Sequence, residues 1–383
     1  MAPKKLTIAV NTRWLIPDKL AGIGWFTHHL VKRWVKNHPE VHFLFIFDRE
    51  YDESFIYGPN ITPYVAYPQA RHPLLWMAWN EFSVRYFLSK HKPDIYFSPD
   101  GFVPLKTKIP TVPVIHDLNF EHHPEWIPKS AAKYLKKYTP EFAKKGDIVL
   151  TVSEFSKSDI QEQYQIPGKK IEVLYNGPQS SFSPMKTEEA VTFRKFMTDG
   201  FEYFLVLGSV NPRKNISRIF KSFNEFKKRT GLPHKLVVIG EMMYWPRQVE
   251  NVYSKLEHKE DIAFMGRCAE DELSQWLASA TALYFPSLFE GFGIPIIEAF
   301  STDTPVITSN TTSMPEVAGD AALYVDPYNT EDMVNALTEV ATKPEVRNEL
   351  IKKGRIQRER YSWDVSAEKA WDILMKVIDG TDS

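Results

Sequence analysis

The chain has 383 residues, of which 43% are hydrophobic and 25% charged. This is the composition of an ordinary soluble globular protein, too long for one typical core, so two domains are expected. A formal net charge of −1 excludes any general attraction to nucleic acid or an anionic membrane, leaving only a local patch for either. The single cysteine, Cys268, excludes an internal disulfide and a cysteine-based zinc cluster, and no apolar run approaches the ~20 residues that span a bilayer.

Met1-Ala-Pro-Lys-Lys5 leads into a strand rather than a long apolar signal segment, so a cytoplasmic location is expected. Short apolar runs at 6–10, 42–47, 95–97, 112–115, 148–152 and 171–174 alternate with helical stretches, which predicts a parallel, doubly wound α/β sheet. After a polar stretch at 179–186 a second set begins, at 204–207, 236–239, 262–264, 282–285, 306–307 and 323–325. Two Rossmann-like domains in tandem are expected, with ligands outside the carboxyl ends of the strands and a cleft where the domains face each other.

Beyond the first strand, Gly22 and Gly24 precede a helix; they either let a backbone approach a phosphate or make a plain turn. They form a poor dinucleotide fingerprint, because the third glycine is missing. Leu74, Leu75, Trp76, Trp79, Phe82, Tyr86 and Phe87 read as an amphipathic helix given to core packing. His116 and Asp117 end a strand; such a histidine is ordinarily structural, and such an aspartate organises a loop. Six lysines lie between Lys129 and Lys145, with Lys133, Lys136, Lys137 and Lys144 roughly on one helical face. That face is either solvated or a peripheral contact with anionic lipid at the inner membrane surface. The cluster Glu121, His122, His123 and Glu125 fits no standard metal spacing.

In the second half, Gly208 ends a strand, and Arg213 and Lys214 stand at the start of a helix. Two cations there oppose the helix dipole unless an anion joins them. The stretch from Ser287 to Phe300 follows a buried strand, turns through Gly291 and Gly293, and enters a helix near Ile294, with Pro295 suited to its first position. The amides of Gly293 and Ile294 then form a phosphate site, flanked by Glu290 in the loop and Glu298 one turn into the helix. An anion site between two hydroxyl acceptors suits a nucleotide sugar.

The form Glu290-Gly-Phe-Gly-Ile-Pro-x-x-Glu298-Ala resembles the signature of the retaining family-4 glycosyltransferases, the glycosyl transferases group 1, with mannosyltransferase-like relatives. Phrases around Gly22 and Gly24, His116, Ser153, Asn176, Arg213-Lys214-Asn215, Gly266-Arg267 and Ser309 extend the resemblance over most of the chain. It implies the GT-B fold. The acceptor domain would be residues 1–180, completed by a C-terminal helix at 364–383, and the nucleotide-sugar domain would be residues 181–363.

The resemblance further implies catalytic roles for Glu290, His116, Lys214 and Arg213. Donor binding would fall to Gly22, Gly24, Ser209, Arg213, Lys214, Gly266, Arg267, Gly291, Phe292, Gly293, Ile294 and Glu298. The nucleobase would be held at Gly266-Arg267 and the ribose at Glu298. Where some relatives carry another arginine this chain has Ser209, so its anion site leans on the backbone. Implied too are hexose transfer from a UDP- or GDP-sugar to a saccharide or lipid-linked acceptor in cell-surface polysaccharide synthesis, with the anomeric configuration retained.

No cofactor or metal is called for: the chain has no Asp-x-Asp, and cations stand at the diphosphate positions. Rival readings fare worse. A sugar hydrolase would set its carboxylates about a glycosidic bond rather than a phosphate site. A dehydrogenase lacks its glycine fingerprint here, and a P-loop kinase lacks its motif. A non-catalytic nucleotide-sugar-binding protein is the remaining alternative, and it would be expected to lose the charged residues that this chain keeps.

Overall fold

A computed structural model describes residues 5–241 and 247–380; residues 1–4, ahead of the first strand, and the last three of the predicted C-terminal helix lie outside the described residues. The chain forms two compact units, Met1–Asn176 with Ser362–Ser383, and Gly177–Tyr361.

In the first unit, β1 (Thr7–Asn11), β2 (His42–Phe47), β3 (Ile61–Val65), β4 (Ile95–Ser98) and β5 (Thr111–Pro113) form a parallel sheet in the order β3-β2-β1-β4-β5. A further parallel pair, β6 (Val149–Thr151) and β7 (Ile171–Val173), is joined to it by a bridge between Val114 and Leu150. The edge strand β3 has no counterpart among the expected runs. It is only partly buried and contains Pro63, which an edge strand tolerates, so it lacks the apolar continuity that marks its neighbours. The strand order reverses between β1 and β4, and the carboxyl ends of these two strands, Asn11 and Ser98, mark a ligand crevice of the doubly wound type.

The final helix, Trp363–Asp379, belongs to this unit. Its amino end stacks Trp363 on His29 at 4.6 Å, and the indole of Trp34 donates to Ala367 O at 2.8 Å. Arg33 pairs with Asp364 at 2.6 Å and Lys369 donates to Val173 O at 2.9 Å, so both flanks of the helix are tied down.

The second unit is a six-stranded parallel sheet: β8 (Tyr203–Leu207), β9 (Lys235–Ile239), β10 (Ile262–Gly266), β11 (Ala282–Phe285), β12 (Val306–Ser309) and β13 (Ala322–Val325), in the order β10-β9-β8-β11-β12-β13. Every residue of β8 and β11 is buried, as the continuous apolar runs of a sheet covered on both faces require. Phe204, Val206 and Tyr284 pack with Phe220 and Phe223 of the helix Ile216–Thr230 on one face. Here the order reverses between β8 and β11, and the loops that follow those two strands carry the charged residues singled out in the sequence.

Two expectations need correction. Gly22 and Gly24 do not form a loop: they lie in the first turn of the helix Gly22–Asn37. The stretch Pro73–His91 is helical throughout but not simply core-packing. Trp79 and Phe87 are buried, whereas Leu74, Phe82 and Tyr86 are exposed, and Trp79–Val84 forms a π-helical turn.

Candidate active site

The turn after β8 is built to hold Lys214 inward. Gly208 has φ +121°, and a β-carbon there would come 2.7 Å from Lys214 Cε, so glycine supplies both the conformation and the room for the lysine stem. Asn211 accepts from the Lys214 amide at 3.2 Å and caps the short turn Pro212–Lys214. Asn215, left-handed at φ 60°, donates to Pro286 O at 3.1 Å and to Pro327 O at 2.7 Å, and so binds this turn to the loops after β11 and β13. The amide of Leu288 donates to Arg213 O at 2.8 Å.

These ties bring three charges together. Lys214 Nζ donates to Glu290 Oε1 at 2.7 Å and lies 4.1 Å from the Phe285 ring centroid, while Arg213 Nη1 stands 3.2 Å from Glu290 Oε2. Burial pushes the Glu290 carboxyl up, but the charges of Arg213 and Lys214 outweigh it and hold it below the usual glutamate value. Burial likewise lowers Lys214, with the Glu290 charge opposing it. Within these three residues one carboxylate faces two cations, and the Arg213 side chain is 28% exposed.

The glutamate loop is braced from β12. Ser313 Oγ donates to Glu290 O and to Phe292 O, both at 2.9 Å, and the Glu290 amide donates to Thr312 Oγ1 at 3.3 Å. Gly291 and Phe292 are buried, and the Phe292 ring packs on Tyr361 at 5.5 Å, so only the backbone of Phe292 is placed to meet a ligand. Gly293, at φ +102°, caps the helix Ile294–Ser301, and Pro295 is its second residue rather than its first. First-turn amides of a helix have no intrahelical partner and carry the positive end of its dipole.

Glu298, one turn on, is pushed up to about 8, first by burial and then by the charge of Glu270, while Lys214 opposes both. Glu270 was not apparent as a site residue in the sequence. Its carboxylate accepts from Ser181 Oγ at the start of the helix Glu270–Ala278. At the end of β10, Gly266 has φ +69° and accepts from the Gly240 amide at 2.8 Å, whereas the Arg267 side chain is exposed. Ser209 is partly buried, and its carbonyl accepts from Asn211 Nδ2 at 3.1 Å.

In the first unit, His116 follows β5, and its Nε2 lies 2.8 Å from Pro99 O. A carbonyl only accepts, so Nε2 carries the proton and Nδ1 the lone pair. Burial lowers the histidine below its ordinary value, against the Pro99 carbonyl and the charges of Asp117 and Asp100, so the ring is neutral at pH 7. Beside it is a network that the sequence reading passed over. Asp100, two residues past β4, takes Asn11 Nδ2 at 2.8 Å and pairs with Arg13 Nε, with both side chains of the ion pair nearly out of solvent. Arg13 also lies over the Phe102 ring at 4.3 Å. A buried arginine on strand β1's loop, with its aspartate 87 residues away, leaves no local pattern to read.

Gly22 and Gly24 part company. A β-carbon at Gly24 would come 2.7 Å from Trp14 O, so this glycine serves packing, whereas Gly22 faces open space. Asp117 accepts from the Asn119 amide at 3.0 Å, as a loop organiser does. In the cluster at 121–125, His122 pairs with Asp159 at 2.8 Å and His123 with Glu125 at 3.2 Å. No metal-holding group of His, Cys, Asp or Glu occurs among the described residues. Lys133, Lys136, Lys137 and Lys144 are all exposed, but Lys136 lies 3.6 Å from a Glu121 oxygen and Lys144 lies 3.3 Å from Glu141.

Two doubly wound α/β units, with polar groups gathered where each strand order reverses, define the GT-B architecture. The particular family follows from comparison with known proteins. Residues 20–179 match the family described as Glycosyltransferase Family 4, and residues 189–357 match Glycosyl transferases group 1. The two matches take in most of the chain, which belongs to these glycosyltransferases. It is 28% identical to O-antigen chain mannosyltransferase B of Escherichia coli, over 77% of this chain and 78% of that protein. In fold it is similar to sucrose-phosphate synthase from Thermosynechococcus elongatus, with TM-score 0.81 and 15% identity over 98% of this chain and 100% of that one. It is also similar to Anabaena Alr3699/HepE solved in complex with UDP and glucose, with TM-score 0.76 and 12% identity over 97% and 99%. No helix among the described residues is long and apolar enough to cross a membrane.

Proposed function

We propose that this glycosyltransferase moves a hexose, with retention, from a UDP- or GDP-sugar to a saccharide or lipid-linked acceptor in cell-surface polysaccharide synthesis, at the cytoplasmic side of the membrane. The observation that carries the reading is the buried Lys214–Glu290 pair with Arg213 beside it, two cations about one carboxylate in the loops after β8 and β11. The similarity to a protein named as a mannosyltransferase favours mannose as the hexose.

When the bond between anomeric carbon and phosphate breaks, positive charge grows on the sugar and negative charge on the departing diphosphate. Lys214, Arg213 and the amides at Gly293 and Ile294 stabilise the diphosphate, the fixed charges being already in place before the bond breaks. Glu290 holds the two cations and takes hydroxyls of the sugar, and Glu298 accepts from the ribose. Gly266 and Arg267 border the nucleobase, and the backbone about Ser209 meets the phosphates. His116 accepts a sugar hydroxyl at Nδ1. The leaving phosphate oxygen takes the acceptor's proton as the acceptor attacks from the same face. Side-chain cations balance the diphosphate, so this scheme has no place for a chelated divalent ion.

The test is incubation of the full chain, with chelator, against a panel of UDP-, GDP- and ADP-sugars, reading free nucleoside diphosphate beside Glu290→Ala and Lys214→Ala. Release from one donor, abolished in both variants, is expected. Release that needs added divalent metal, or that survives both substitutions, sinks the scheme. Tight binding of one donor with no turnover under any acceptor would favour a sensor.

A further inference from the structure

The loops after β1 and β4 share a charge pair that the transfer scheme does not use. Arg13 Nε donates to Asp100 Oδ2, and the two side chains are only 5% and 2% exposed. Taking two such charges out of water is costly, and apolar residues of similar volume often stabilise a core as well or better. Stability alone does not account for the pair.

What it holds is the peptide carbonyl between Ser98 and Asp100. Ser98, the last residue of β4, is fixed through its carbonyl, which accepts from the Val114 amide at 2.9 Å and from the Gly101 amide at 3.0 Å. Asp100 is fixed through its carboxylate. Oδ1 accepts from Asn11 Nδ2 at 2.8 Å and from the Phe102 amide at 3.1 Å, while Oδ2 takes Arg13. Arg13 is held in turn: its guanidinium lies 4.3 Å from the Phe102 ring centroid and 5.6 Å from that of Trp79, and its amide donates to Asn11 Oδ1 at 3.2 Å. Pro99 spans the two fixed points with a restricted φ, so its carbonyl has one direction. It faces Nε2 of His116 at 2.8 Å.

Two further contacts steady His116. Phe26 meets the ring edge-on at 5.0 Å, and Ser156 Oγ donates to the main-chain carbonyl at 3.1 Å. Neither chooses between the two ring nitrogens, so that choice falls to the Pro99 carbonyl. We propose that Arg13 and Asp100 are positioning residues for the sugar transfer: they aim the Pro99 carbonyl, which keeps the proton of His116 on Nε2 and leaves Nδ1 to accept a sugar hydroxyl. The inference rests on the role given to His116 in the proposed reaction, and extends it to two side chains that are nearly out of solvent. A carboxylate suits the place because one oxygen holds the turn while the other takes the arginine, whereas an asparagine offers a single acceptor oxygen.

The test compares the full chain with Arg13→Met/Asp100→Leu and Asp100→Asn, each carrying isotope-labelled histidine for NMR, which needs no substrate. Replacing both members of a buried pair by apolar residues strands no charge, so the double variant should melt close to wild type. In wild type the Nε2 proton of His116 should give a slowly exchanging signal that is missing from His116→Gln. In both pair variants that signal should be lost to fast exchange. Release of nucleoside diphosphate from the donor that the sugar panel selects should fall by about tenfold to a hundredfold in each. Adding His116→Gln to the double variant should then cost little more, because both changes remove the same contact. A protected Nε2 proton that survives in the folded variants overturns the proposal, as does a fully additive loss from His116→Gln. Loss of fold in both variants also overturns it, since the pair then serves stability alone. A lost proton signal with unchanged turnover upholds the hold on His116 and overturns instead the part given to His116 in the transfer.

Discussion

Lys214 Nζ lies 2.7 Å from Glu290 Oε1, and the two side chains are only 10% and 7% exposed. Removing Glu290 leaves the buried Lys214 charge without a counter-ion, whereas removing Lys214 leaves Glu290 still paired with Arg213 at 3.2 Å. Glu290→Ala is therefore expected to cost about 3–5 kcal/mol of stability, read as a lower urea midpoint, and Lys214→Ala less. Lys214→Ala/Glu290→Ala should cost less than the two single substitutions added together, since no buried charge is stranded. Turnover separates the roles. If the pair also stabilises a departing diphosphate, each single variant loses about 10²–10³ in kcat/KM, and the double variant does not recover it. Recovery of turnover along with stability would make the pair purely structural.

The two glycines at the start of the helix Gly22–Asn37 give opposite predictions. Gly22→Ala adds a methyl in open space within a helix, so stability should rise by about 0.5–1 kcal/mol. Gly24→Ala drives a β-carbon to 2.7 Å from Trp14 O and should lower stability. If a substrate phosphate approaches the first turn, Gly22→Ala loses kcat/KM in spite of its added stability. Thermal melts beside kinetics decide it: a more stable Gly22→Ala with unchanged kinetics removes Gly22 from the site.

What could be read from the sequence divides along physical lines. Strands such as β8 and β11 are buried on both faces, so their apolar runs declare them, and glycines at the turns mark the ends. Edge strand β3 carries Pro63 and half-buried side chains, and nothing in its pattern separates it from loop. The Glu290 loop is a contiguous phrase and could be found; its partner Lys214 is 76 residues away and stood out because two cations at a helix start conflict with the dipole. Arg13 and Asp100 offered no such conflict, since each is ordinary until the fold buries them together. Leu74, Phe82 and Tyr86 were read as core and are exposed: an apolar residue on an amphipathic helix can stay at the surface, and a 3.6-residue period does not anticipate the π turn at Trp79–Val84.

His116 offers a test of its tautomer. With Nε2–H donating to Pro99 O, the glutamine amide of His116→Gln can keep that donor but supplies no acceptor at the Nδ1 position. The variant should fold as wild type and lose turnover, with KM for the sugar donor affected more than thermal stability. Because burial lowers the histidine, protonation of Nδ1 comes only below pH 6.5, so the acid limb of wild-type kcat/KM is expected below that value and should vanish in His116→Gln. An acid limb unchanged in the variant would assign it to another group.

Glu298 ties stability to pH. Its carboxyl is raised from an ordinary 4.5 to about 8 by burial and by Glu270. Between these values the folded protein holds a proton that the unfolded chain has released, so unfolding gains a proton-loss term and stability falls as pH rises. The contribution is most favourable below about pH 4.5, declines through neutrality, and levels off above about 8. Glu298→Gln removes the titration, so the difference between variant and wild-type urea midpoints should widen in the variant's favour from pH 5 to pH 8. The same proton reports on the ligand. Ribose hydroxyls donating to an ionised Glu298 would pull its pKa down, so nucleoside diphosphate binding near pH 7 should release protons. Calorimetry in buffers of different ionisation enthalpy measures that release. It should be present in wild type and absent in Glu298→Gln, and equal release in both would separate Glu298 from the ribose.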